Sequence, residues 1–175
     1  MTRIAWGITG AGHFLSESAD WLARSPDVDV FLSRAAEEVI RMYGLEEKIC
    51  NSGARLYRES RSLVSVPQVA RFSLGVYRVL LVAPASGNSV AKFVYGISDT
   101  LITNLFAQAG KSRVPIIVLP TDVAEEIRSP GPKGGLIKVY PRRIDLENVD
   151  KLSEFQGVTV VTNMEELKTC LNQYL

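Results

Sequence analysis

The sequence predicts an α/β fold, a three-layer sandwich whose mostly parallel sheet of about six strands carries helices on both faces. Three observations point there. Apolar runs alternate with helical patterns from one end of the chain to the other. Two of these runs, VLLVAP (79–84) and PIIVLP (115–120), are apolar without alternation, the mark of central strands covered on both faces. Between them lie roughly twenty residues of helical pattern, broken near Gly96, which suits a right-handed crossover.

The elements follow in chain order. IAWGI (4–8) reads as the first strand, and the stretch from Phe14 to Arg24 as an amphipathic helix. VDVFLS (28–33) is a second strand, and RAAEEVIRMYG (34–44) is a helix that Gly44 stops. Residues 50–75 are ambiguous: ARLYRES suits a short strand, and SVPQVARFSLG a short helix that Pro67 initiates. LIKVYP (136–141) and VTVV (158–161) supply further short strands. In the last segment Thr162 or Asn163 caps a helix with Glu165 and Glu166 in its first turn and an apolar stripe of Met164, Leu167 and Leu171. The prolines and glycines of SPGPKGG (129–135) make a turn-rich loop, either a lid over a ligand or a surface connection.

With 46% hydrophobic and 22% charged residues, the chain has the composition of a soluble globular protein, and one domain spanning residues 1–175 is long enough to bury a core. A formal net charge of +1 gives nothing to draw a polyanion, so no nucleic-acid partner is expected. The apolar runs are too short for a bilayer, so no membrane role is expected either. MTRIAWGITG lacks the pattern of a secretory leader, and the expected location is cytoplasmic. Cys50 and Cys170 have neither paired spacing nor a nearby histidine, so no metal site is expected.

In an open parallel sheet, ligands sit beyond the C-terminal ends of the strands. The first strand delivers Gly7 to His13 there, a glycine-rich turn that is either a tight connection or a close approach for an anion or a flat ring. It is neither the full dinucleotide fingerprint nor a Walker loop. Asp29 falls near the spacing of a ribose-binding acid but precedes the apolar end of its strand. Ser33 ends the second strand as Arg34 opens a helix, a cap position that can also hold a phosphate. Ala85, Ser86, Gly87, Asn88 and Ser89 leave the third strand end, where hydroxyls and an amide can read a heterocycle's edge. Pro120-Thr121-Asp122 leaves a fourth. Several small polar strand ends around one crevice suit a phosphorylated heterocyclic cofactor, while each taken singly suits ordinary turn chemistry.

APASGNSVAKFVYGISDTLITNLFAQAG (83–110) and VPIIVLPTD (114–122) closely resemble the superfamily of homo-oligomeric flavin-containing cysteine decarboxylases. The family's Pro-Ala-Ser-Ala-Asn-Thr signature stands here as Pro84-Ala85-Ser86-Gly87-Asn88-Ser89, and its Gly-Ile-(Ala/Ser)-Asp motif as Gly96-Ile97-Ser98-Asp99. The opening RIAWGITGAGH is similar to that of the archaeoflavoprotein and dihydromethanopterin reductase (acceptor) branch. The resemblance implies a Rossmann-like flavoprotein fold and FMN as cofactor. It places Gly10, Ala11, Gly12 and Ser33, with Arg34, on the phosphate and ribityl side. Ala85, Ser86, Gly87, Asn88 and Ser89 fall on the ring side or at a neighbouring chain, with Thr121 close by. It also implies a homo-oligomer, a trimer or an assembly of trimers, and the apolar Phe93, Tyr95, Leu101, Leu105 and Phe106 either serve that contact or fill the subunit's own core.

The departures narrow the function. The catalytic histidine of the decarboxylases, expected shortly before Val79, is missing from SVPQVARFSLGVYR, and Pro120-Thr121-Asp122 replaces their Pro-Ala-Met-Asn motif. The arginine-rich phosphate grip of a prenyltransferase is missing too. The expected activity is therefore an FMN-dependent oxidoreductase that passes electrons from a donor such as reduced ferredoxin to a pterin acceptor, in the manner of dihydromethanopterin reductase. The alternatives are an FMN electron carrier without a substrate of its own and, further off, a decarboxylase or prenyltransferase. His13, the only histidine, is the candidate catalytic residue; it orients flavin, donates a proton or caps the helix. Trp6 belongs to the core or stacks on the ring, and Arg71, Lys92 and Tyr95 are weaker candidates for binding an acceptor's carboxylates.

Overall fold

The computed structural model describes residues 3–25, 27–59 and 66–174. Six strands form one sheet in the order β3-β2-β1-β4-β5-β8, every neighbouring pair parallel. They are β1 (Arg3–Ile8), β2 (Val28–Leu32), β3 (Arg55–Arg58), β4 (Tyr77–Ala85), β5 (Ile116–Pro120) and β8 (Val158–Val160). The helices are α1 (Leu15–Leu22), α2 (Arg34–Met42), α3 (Glu46–Cys50), α4 (Val66–Ser73), α5 (Gly87–Val94), α6 (Leu101–Lys111), α7 (Arg143–Ser153) and α8 (Met164–Leu171).

The period-two alternation of a strand divides the core between two faces. Ile4, Trp6 and Ile8 of β1 join Val79 and Leu81 of β4 under Leu15 and Leu22 of α1, Ile40 of α2 and Leu167 and Leu171 of α8. Ala5 and the intervening β4 residues Leu80 and Val82 face Phe93 of α5, Ile102, Leu105 and Phe106 of α6 and Leu152 of α7. Because β4 and β5 are covered on both faces, their sequences show no polar alternation, which is why they read as central strands; β1, read only as a strand, is covered in the same way. Trp6 is fully buried and donates its indole N–H to the Ala83 carbonyl at 2.7 Å, a core residue that ties β1 to β4.

Four features differ from the sequence reading or sharpen it. The sixth strand of the sheet is β3, from the ambiguous region, whereas residues 136–139 form β7 and pair antiparallel with β6 (Ile127–Pro130) in a separate hairpin. The SPGPKGG loop is the end and turn of that hairpin, held back to α2 by the Tyr43 hydroxyl, which donates to the Pro130 carbonyl at 2.9 Å. Phe93, Leu101, Leu105 and Phe106 fill the subunit's own core, and only Tyr95 of that group is exposed. Asp29 is fully buried, paired with Arg3 at 2.7 Å and Arg71 at 3.0 Å and accepting the Tyr77 hydroxyl at 2.8 Å. That network accounts for Asp29 and removes Arg71 from the candidates for ligand binding. Ser60 and Ser65, the ends of the expected strand and helix, lie outside the described residues.

Asn163 caps α8 as expected, accepting the amides of Glu165 and Glu166, while Glu166 accepts the Thr162 amide in return. Among the described residues, no helix is long and apolar enough to cross a membrane.

Candidate functional site

The chain runs from β1 outward to β2 and β3, then returns to place β4 on the other side of β1. That reversal opens a crevice at the C-terminal ends of β1 and β4, where open α/β sheets bind ligands. Two cavities of about 440 Å³ and 260 Å³ lie there, and Gly10 and Ser86 wall both of them.

Hydrogen bonds lock the strand ends that frame the crevice. The buried Thr9 hydroxyl donates to the Pro84 carbonyl at 3.0 Å and accepts the Ser86 amide at 2.8 Å. The Ser33 amide donates to the Ile8 carbonyl at 3.1 Å and the Thr121 amide to the Ala85 carbonyl at 3.0 Å. Three glycines let other groups come close. A Cβ at Gly10 would overlap Ala35, one at Gly12 would run into the Tyr43 ring, and one at Gly87 would run into the Asp122 carboxylate.

The larger cavity lies between helix starts. Ser33 accepts the Ala36 amide at 3.0 Å and Ser86 accepts the Ser89 amide at 3.4 Å, so two capped helix N-termini face it together with Arg34, Asn88, Ser89 and Lys92. Glu59 also lies in this cavity, accepting the Arg34 amide at 2.8 Å and the Leu101 amide at 2.5 Å. The Arg34 amide is therefore already occupied by a carboxylate; the Ser33 cap, Ser89 and Lys92 remain to face an anion. Lys92 itself is bridged to the exposed Asp99 at 2.8 Å.

The smaller cavity is lined by Gly10 to His13, Gly87, Thr121 and Asp122 from the strand ends, and by Ile127, Ser129, Ile137 and Val139 from the hairpin. The hairpin strands are thus a wall of the cavity, and of the SPGPKGG stretch only Ser129 lines it. His13 does not cap α1, which starts after Phe14 without a side-chain cap. Its ring packs on Phe14 with centroids 3.9 Å apart, and its Nδ1 is buried without a hydrogen-bond partner. Burial holds the imidazole below its ordinary pKa, against the opposing charges of Glu17 and Asp122. Burial and the neighbouring Asp145 charge push the Asp122 carboxyl up, and the Gly87 amide and Thr121 hydroxyl pull part of the way back.

The structure brings together Gly10, Ala11, Gly12, His13, Ser33, Arg34, Ser86, Gly87, Asn88, Ser89 and Thr121 in this crevice. It divides them differently from the resemblance: Ser33 and Arg34 share the larger lobe with Asn88 and Ser89, while Ala11 and Gly12 share the smaller lobe with Gly87 and Thr121. Ala85 is fully buried and lines neither lobe; its carbonyl serves Thr121. Thr9, Glu59, Asp122, Ile127, Ile137 and Val139 were not named as site residues, while Ser129 stood in the stretch read as a lid or a surface connection. Only Asp122 gave a signal, as the last residue of a small polar strand end.

A doubly wound parallel sheet with a two-lobed crevice at its strand ends, one lobe set between two capped helix N-termini and the other between a glycine-rich turn and a hairpin, defines a protein that binds a phosphorylated ring cofactor. The chain belongs to the flavoprotein family, whose model matches residues 1–173. It is 40% identical over 193 aligned positions to the dihydromethanopterin reductase (acceptor) of Methanosarcina mazei, covering 96% of this chain and 77% of that protein. It superposes with a TM-score of 0.88 on the crystal structure of DmrB from Burkholderia xenovorans in complex with FMN, a cubic protein cage for redox transfer, at 41% identity and covering 99% and 95% of the two chains. Phenylacrylic acid decarboxylase from Aquifex aeolicus is more distant, with a TM-score of 0.64, 26% identity and coverage of 93% and 81%.

Proposed function

We propose that this chain binds FMN in the β1–β4 crevice and acts as an FMN-dependent oxidoreductase, passing electrons from a donor such as reduced ferredoxin to a pterin acceptor. The observation that carries the reading is a crevice of two adjoining cavities that share Gly10 and Ser86, one set between two capped helix starts and the other between the glycine turn and the hairpin. Ser33, Asn88, Ser89 and Lys92 would hold the phosphate and ribityl end; Ala11, Gly12, Gly87 and Thr121 would lie along the ring, under the apolar hairpin wall. The unpartnered Nδ1 of His13 fits a polar ring at this place. Bound there, FMN supplies the electron chemistry, while the protein orients it, shields it and places protons beside it. His13, neutral at neutral pH, contacts the ring or acceptor as a hydrogen-bonding group.

The relatives support the acceptor: one is named for dihydromethanopterin reduction and another is a cage for redox transfer. The same relationship supports a homo-oligomer of trimers. Leu136, Ile137 and Tyr140 at the hairpin, exposed at 68%, 48% and 64%, give such a contact apolar surface beside the site. A cytoplasmic location is part of the proposal; Cys50 and Cys170 are free thiols, as a reducing compartment keeps them.

That same exposed hairpin favours a second reading, an FMN electron carrier whose partner is a protein that docks there. FMN titration of the purified apoprotein tests the cofactor, with one flavin retained per chain expected. Anaerobic addition of dihydromethanopterin to the reduced holoprotein then separates the readings. Reoxidation with tetrahydromethanopterin as product supports the reductase, and its absence the carrier.

A further inference from the structure

Two carboxylates converge over the bare α-carbon of Gly87, and the fold treats them in opposite ways. A Cβ there would overlap Asp122 and lie 3.3 Å from Asp145 Oδ1. Asp145, on α7, is 6% exposed and receives three hydrogen bonds from Arg142: from the backbone amide and Nε at 2.9 Å and from Nη2 at 2.7 Å. Those bonds hold Asp145 below the usual carboxylate range, so it is a fixed anion. Asp122, at the end of β5, has the opposite surroundings. It faces the ring lobe with His13, and Arg142 directs its hydrogen bonds to Asp145 instead. A pair of titratable groups whose environments push them apart marks a division of acid–base roles.

We propose that Asp122 is the general acid of this site, giving the proton that accompanies hydride delivery to a C=N bond of the acceptor, with Asp145 and Arg142 as positioning residues behind it. The inference rests on the proposed FMN-dependent reduction of a pterin and deepens it. Reduced FMN, when bound, supplies a hydride, two electrons and one hydrogen, to the acceptor carbon and is left oxidised. The π pair of the C=N bond passes to the nitrogen, which takes the proton from the Asp122 carboxyl. The product is a CH–NH group; Asp122 is left as a carboxylate and regains its proton from water. His13 suits this step less well, because burial keeps its imidazole neutral. The groups facing Asp122 are His13 from the β1–α1 turn, the Gly87 amide from α5, its neighbour Thr121, Asp145 from α7 and Arg142 at its N-cap; Glu17 faces His13. Burial first and the anion of Asp145 second move the Asp122 carboxyl up toward working pH, where a general acid is most effective, against the pull of the Gly87 amide, Thr121 and the Arg142 charge.

The test uses the FMN-loaded protein with Asp122→Asn and Asp145→Asn variants. Carbon-13 NMR of labelled aspartate carboxyls, assigned with Asp122→Asn, reads the Asp122 titration without any turnover. We expect it above the ordinary aspartate value and lower in Asp145→Asn. Stopped-flow reoxidation of the reduced protein by dihydromethanopterin, measured at saturating FMN, should slow by about 100-fold or more in Asp122→Asn, with partial recovery in Asp122→Glu. An Asp122 carboxyl titrating at or below the ordinary value overturns the inference whatever the acceptor does. So does an Asp122→Asn rate within about threefold of the original at neutral pH, well short of a general-acid effect. A wild-type protein that dihydromethanopterin does not reoxidise contradicts the pterin reading instead, and the carboxyl titration still decides the role of Asp122.

Discussion

The hydroxyl of Thr9 stands between two strand ends: it donates to the Pro84 carbonyl at 3.0 Å and accepts the amide of Ser86 at 2.8 Å. One buried side chain thereby sets how far β4 projects past β1, and so the position of the Ser86 cap that faces both lobes. Thr9→Val keeps the volume and removes both bonds, leaving the part-buried Ser86 amide unpaired. A loss of roughly 1–3 kcal/mol is expected in chemical denaturation. FMN affinity should fall by about tenfold, corresponding to about 1.4 kcal/mol.

Gly10 walls both lobes, and its missing Cβ is what lets α2 start against the β1 turn. Ala35, the group an added methyl would meet, belongs to the first turn of α2 and cannot swing away as a long side chain would. Gly10→Ala should cost about 1–3 kcal/mol through overpacking. Fluorescence titration should show FMN binding lost to a greater degree than the folding stability.

Buried Asp29 has two cations, Arg3 and Arg71, and the Tyr77 hydroxyl around it, far from any catalytic demand. Asp29→Ala removes the centre of that network, and a loss of about 3 kcal/mol is expected because both guanidinium groups are largely buried. Tyr77→Phe should cost only about 1 kcal/mol. Urea denaturation of both variants gives the comparison, with FMN stoichiometry unaffected.

His13 is the only histidine, so its NMR titration is assigned without ambiguity. Its folded-state pKa lies below the ordinary 6.5, because the fold favours the neutral imidazole. Its contribution to stability is fully present above 6.5 and is lost as pH falls through the folded value. The imidazole should therefore titrate below 6.5, and stability should decline on acidification from neutrality. Denaturation of His13→Gln should show a flatter decline over that window.

How much of this was legible in the sequence depended on whether a residue's role was local. VLLVAP and PIIVLP announced central strands because burial on both faces removes polar alternation, and Asn163 announced α8 because a cap acts within one turn. α7 gave no such signal: its buried face includes Asp145 and Asn148, which interrupt an apolar stripe. β6 and β7 pair only with each other, so β7 resembled one more sheet strand. Phe93, Leu105 and Phe106 were as consistent with an oligomer contact as with a core until α5 and α6 were placed on the sheet. Within the site, Ser33, Gly10 and Ser86 to Ser89 were visible because strand-end chemistry is local. Glu59 acts on amides 25 and 42 residues away, and the Thr9 hydroxyl bonds 75 and 77 residues away, so neither role could be read before the strand order was known.

The measurement that bears most directly on the central claim is an anaerobic stopped-flow experiment on the FMN-loaded, fully reduced protein mixed with dihydromethanopterin. The account predicts that the oxidised flavin absorbance returns with one flavin reoxidised per pterin reduced, and that substituting Asp122 slows this return at saturating FMN. A protein that fails to retain FMN, or whose reduced flavin stays bleached in the presence of the pterin, would contradict it.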